Sequence, residues 1–146
     1  MTKTLRLLYP QWQGAHPTNI MHYLDDKFNE ENSILGYNLG SKIVNLIVPP
    51  SNDPNDCTAE VPISNKYEEG DLKLEHSIHA YQTIKKHLSS ALSILNEKNP
   101  QKVIVIGGEC SVSLAPFKYM INKYGSDNVA MIWIDAHPDL TLPGDP

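Results

Sequence analysis

Lys102 to Ser111 read KVIVIGGECS, and Val129 to Asp139 read VAMIWIDAHPD. Each is an apolar run rich in strand-forming residues that stops abruptly at a polar cluster. A continuous β-branched run such as Lys102–Ile106 predicts a strand buried on both faces of a parallel sheet, and Val129–Ile134 predicts a second one. Gly107-Gly108 lets the backbone turn sharply out of the first strand. Ser111 is then positioned as the N-cap of a helix over Ser111–Lys123 that ends at Gly125.

Upstream, Thr4–Tyr9 predicts a first strand stopped by Pro10, followed by a loop over Gln11–Asn19. Ile34, Leu35, Leu39, Ile43, Leu46 and Ile47 recur at three- and four-residue steps, which predicts a helix over Ser33–Val48, although Gly36 and Gly40 oppose it. Thr58–Ile63 predicts a strand near a sheet edge, because of Pro62. Leu74, Ile78, Tyr81, Ile84, Leu88, Leu92 and Leu95 form the longest apolar stripe and predict one helix from Asp71 to Lys98, stopped at Asn99-Pro100. Strands alternating with helices predict an α/β domain with a mostly parallel sheet. Ligands in such sheets bind beyond the carboxyl ends of the strands.

The composition narrows the function. The 146 residues are 40% hydrophobic and 20% charged, as in a globular domain. The 12 Lys and Arg against 17 Asp and Glu are scattered, which argues against a nucleic-acid partner. No apolar run reaches the ~18 residues of a membrane span, and no signal peptide is visible. Two cysteines make no disulfide framework. A cytoplasmic location is expected, with reduced thiols.

The chemistry concentrates at the two strand ends. In an extended DAHPD segment, Asp135, His137 and Asp139 share one face. Two carboxylates and an imidazole suit Mn²⁺, and also Fe²⁺ or Zn²⁺. Alternatively, Asp135 caps a turn, Asp139 is solvated and His137 packs. Cys110 is either a thiolate ligand or a small packed residue. His76, His79 and His87 fall mostly off the helical stripe and are expected on solvated faces. His16 and His22 belong to the first loop region. Trp12 and Trp133 are expected in the core or a pocket wall. Asp25, Asp26, Glu30 and Glu31 read as surface charge, and Cys57 shows no partner in the sequence.

Taken together, GGECS (107–111) and DAHPD (135–139) resemble the Gly-Gly-Asp-His-Ser and Asp-Ala-His-x-Asp segments of the arginase/agmatinase (ureohydrolase) superfamily. RLLYPQWQGA (6–15) is similar to the opening of a divergent bacterial branch. The resemblance implies a three-layer α/β/α arginase-like fold, with residues 1–146 as the N-terminal part of a single domain. It implies two Mn²⁺ ions and hydrolysis of a C–N bond in a guanidino or amidino compound of the arginine or agmatine kind. Asp135 would bridge the metals, His137 and Asp139 would each bind one, and Cys110 takes the place of a histidine ligand. Glu109 replaces an aspartate that supports this shell, beside Ser111. The softer sulfur would favour Zn²⁺ or Fe²⁺.

The family's later Asp-x-Asp motif and its proton-shuttle histidine have no counterpart. The resemblance therefore implies a domain incomplete at its C-terminus, a hydrophobic edge along Val129–Ile134, and impaired catalysis. A homo-oligomer is a possible state. The competing readings are a non-catalytic metal-binding or regulatory paralogue, a deacetylase-type amide hydrolase, and a nucleotide-binding domain.

Overall fold

A computed structural model of the chain describes residues 3–15, 30–49 (backbone alone over 30–35), 51–64 and 72–135. Three strands form a parallel sheet. Strand β1 (Thr4–Tyr9) lies in the middle, with β2 (Cys57–Glu60) on one side and β5 (Lys102–Gly107) on the other. Leu5 pairs with Cys57 and with Val103, and Tyr9 reaches Gly107 at the carboxyl end.

The alternation along β1 explains the layers. Leu5, Leu7 and Tyr9 point to one face and are fully buried. They pack with Ala91 and Leu95 of helix α2 (Tyr81–Lys98) and with Ala115 and Tyr119 of helix α3 (Leu114–Tyr124). Arg6 points to the other face, toward helix α1 (Glu30–Ile47). Its guanidinium donates to the Asn45 side chain and to the Val48 and Pro49 carbonyls. A cation at the C-terminal end of a helix satisfies carbonyls that have no intrahelical partner. Helices therefore lie on both faces of a parallel sheet, which is the expected α/β architecture.

α2 stops at Asn99-Pro100 as expected, with Asn99 in a left-handed conformation that caps the helix end. The Tyr119 hydroxyl donates to the Pro100 carbonyl at 2.9 Å, and Lys123 donates to the same carbonyl, so α3 is fastened to the end of α2.

Several expectations are corrected. The helix over Asp71–Lys98 starts only at Tyr81. Before it stands a small hairpin of β3 (Leu74–Glu75) and β4 (Ile78–His79), whose turn residues His76 and Ser77 have positive φ, as does Ala80. Leu74 and Ile78 continue the apolar spacing but are exposed, and a stripe without a surface to cover it does not stabilise a helix. Strand β5 is not buried on both faces: Ile104 is 44% exposed, because β5 lies at an edge of the described sheet. Val129–Ile134 is not a strand. Among the described residues it runs without a ladder partner, with Ile132 and Ile134 exposed at 85% and 92%, and Trp133 is half-exposed rather than packed in the core. The expected hydrophobic exposure there takes the form of an unpaired chain. β2 lies at an edge of the described sheet as expected, but it spans Cys57–Glu60 rather than Thr58–Ile63, so Pro62 falls beyond the strand.

Candidate functional site at the ends of strands β1 and β5

The carboxyl ends of β1 and β5 are adjacent, and each leads into a polar segment. After β1 come Gln11, Trp12 and Gln13, all buried. The Trp12 indole N–H donates to the Ser64 carbonyl at 2.9 Å, which meets the expectation of a packed tryptophan. After β5 comes Gly108, then Glu109, then a 3-10 turn over Cys110–Ser113 that runs into α3.

Neither Gly107, the last residue of β5, nor Gly108 after it uses the left-handed region: among the described residues Gly125 is the glycine with positive φ. Gly108 is required by close approach instead. A Cβ there would overlap the carbonyl oxygen of Gln11. Gly14 has a similar reason, since its Cβ would come within 2.8 Å of the Glu109 carboxylate. The backbones of the two strand-end segments thus press directly against one another.

Glu109, not Ser111, caps the turn. Its Oε2 accepts from the Ser111 backbone N–H at 2.7 Å and its Oε1 from the Ser111 hydroxyl at 2.6 Å. The Gln11 side-chain amide also donates to Glu109 Oε1, and to Ser111 Oγ at 2.7 Å. The Gln11 oxygen faces Nδ1 of His87 at 3.0 Å. Gln11 is completely buried and His87 is 4% exposed, so the expectation of a solvated His87 is overturned. Buried polar groups hold their place by hydrogen bonding, and Gln11 shows how this one does so. His76 and His79 stand on the hairpin rather than on a helix.

Two tyrosines feel the same carboxylate. The Tyr9 hydroxyl is pushed well above its ordinary pKa, first by burial and then by the Glu109 charge. Tyr37 of α1 is raised by burial, then by Glu109 and Cys110. Both remain protonated at neutral pH.

Of the predicted site residues, Glu109, Cys110 and Ser111 are brought together at the strand end, with Cys110 exposed and neither cysteine in a disulfide. Asp135 is exposed just after Val129–Ile134. His137, Asp139, His16, His22, Asp25 and Asp26 lie outside the described residues, and the side chains of Glu30 and Glu31 do too. Among the described residues, no three His, Cys, Asp or Glu side chains form a group that could hold a metal. Sequence reasoning missed Gln11 and His87. The usable signal was a glutamine just past the carboxyl end of a strand, where parallel sheets place their sites.

Residues 50–145 match the sequence model of the Arginase family, a stretch that includes both GGECS and DAHPD. The chain belongs to the arginase family. Arginase-family membership places it, at a general level, among ureohydrolase-type hydrolases. No curated protein matches the sequence. Among the described residues no helix is long and apolar enough to cross a membrane.

Proposed function

We propose that this arginase-family chain contributes a divalent-metal centre that hydrolyses the C–N bond of a guanidino or amidino compound, in a cytoplasmic protein without nucleic-acid or membrane partners. The observation that carries the reading is the family match across both strand-end segments. The donor set supports it. Two carboxylates, an imidazole and a thiol fit a divalent cation, with Asp135, His137, Asp139 and Cys110 as the residues that would hold it.

When bound, Mn²⁺, or Zn²⁺ or Fe²⁺ given the sulfur donor, supplies an activated water nucleophile and a positive centre for the leaving group. The chain's own residues have other tasks. Glu109 accepts three hydrogen bonds from Gln11 and Ser111, so it holds the turn. The protonated Tyr9 and Tyr37 flank a carboxylate and add no negative charge that would repel it. An acidic site receives a cationic guanidinium favourably.

Cobalt(II) titration tests the proposal. The wild-type chain should develop a thiolate-to-cobalt charge-transfer band that Cys110→Ser removes and Cys57→Ser keeps. Asp135→Ala should weaken metal uptake, and release of urea or an amide from guanidino compounds should require the metal. A chain that takes up no divalent ion, or whose uptake ignores Asp135→Ala, overturns the proposal. Uptake without turnover would identify a non-catalytic metal-binding paralogue.

A further inference from the structure

We infer that Gln11 and His87 are positioning residues that set the turn carrying Cys110, an assignment that rests on the metal-centre reading above. The hydrogen bonds run in one direction. Gln11 Nε2 donates to Glu109 Oε1 and to Ser111 Oγ. Its oxygen can only accept, so His87 Nδ1 carries the proton of the bond between them. The reversed amide would set its oxygen against the Glu109 carboxylate, so the carboxylate fixes which way Gln11 faces and the Gln11 oxygen fixes the His87 tautomer. His87, held in α2, therefore anchors the Gln11 oxygen, and the anchored amide holds Glu109 and Ser111.

The backbone of Gln11 acts on the same turn, since its carbonyl oxygen occupies the space a Gly108 side chain would need. Three elements distant in sequence converge here: the exit of β1, the exit of β5 and the middle of α2. A 3-10 turn of four residues has few internal bonds with which to hold itself. Its first residue is Cys110. The backbone that carries the Cys110 thiol is thus held from β1 and α2 before any ligand arrives, as outer residues position a donor atom. Gln11 and His87 act through the turn that carries Cys110.

Amide hydrogen exchange at Ser111, whose N–H donates to Glu109, reads the turn directly and needs no metal. Gln11→Met and His87→Leu should speed this exchange about tenfold, the factor that losing one hydrogen bond of ordinary net strength produces. His87→Asn can present an N–H where Nδ1 stood, and should restore slow exchange. It also keeps the test alive if the apolar variants do not fold. In the cobalt-loaded chain, Gln11→Met should shift or abolish the thiolate band and His87→Asn should retain it.

Ala91→Gly, in the buried face of α2 but outside this chain of bonds, is the control for general loosening. Exchange at Ser111 that responds equally to Ala91→Gly at matched loss of stability overturns the assignment. So does exchange within about twofold of wild type in Gln11→Met and His87→Leu. A wild type without the cobalt band counts against the metal centre instead, so the two claims fail by separate measurements.

Discussion

KVIVIG (102–107) and VAMIWI (129–134) are nearly interchangeable as strings, and the protein treats them in opposite ways. The first is β5, paired residue for residue with β1 and handing its chain to a turn gripped by Gln11. The second has no ladder partner among the described residues and leaves Ile132 and Ile134 in solvent. β-branched composition expresses a fitness for a half-covered pleated surface, and the surface itself has to be supplied by another strand and a helix. Beta propensity is a property of the segment, whereas burial is a property of its neighbours.

The largest break in this comparison comes at the junction that makes β5 special. Gly108→Ala forces a methyl group into the Gln11 carbonyl, which is backbone and cannot swing aside. Denaturant unfolding should show a loss of about 3 kcal/mol or more, at the upper end of overpacking effects. An unchanged midpoint would mean that the two strand ends are not in contact.

Next come matched truncations. Leu7→Ala, in the fully buried face of β1, should cost about 2–5 kcal/mol. Ile134→Ala should change stability by no more than about 0.5 kcal/mol, as for an exposed position. Ile132→Lys sharpens the point, because a lysine is ruinous inside a strand buried on both faces and harmless in solvent. If Ile132→Lys unfolds the chain, the segment is buried in solution and the contrast disappears.

The smallest effect lies at the opposite end of the same strands. Asp53 accepts from the Asn55 backbone N–H and pairs with Lys3 at 3.0 Å, which lowers its pKa from 3.8 to about 2. A depressed carboxyl pKa adds stability that is present above 3.8 and is lost as pH falls through about 2. Asp53→Asn should flatten the acid limb of the stability curve within that window and remove the same contribution at neutral pH, a small one because the exposed pair is solvent-screened. An acid limb identical to wild type would show that the pair does not form.

Much of the sheet was legible from amino-acid order. Thr4–Tyr9 forms a strand over the predicted residues, β2 lies at an edge of the described sheet, and Asn99-Pro100 stops α2. The helix over Ser33–Val48 is found as Glu30–Ile47 despite Gly36 and Gly40. The site was legible in part. Glu109, Cys110 and Ser111 stand where the strand end was expected to hold them, while His137 and Asp139 fall outside the described residues. Leu74 and Ile78 misled because a spacing of four suits a helix and is equally available to two residues of a hairpin that both face solvent.

From its residues alone this chain declares strands, stops and the order of its polar clusters, since steric preference and proline chemistry act within a few positions. Tertiary structure alone decided that a histidine in the middle of α2 would be buried against a glutamine 76 positions earlier. It also decided that one of two similar apolar runs would find a partner strand. Both outcomes depend on which surfaces meet across the fold, and no local preference carries that information.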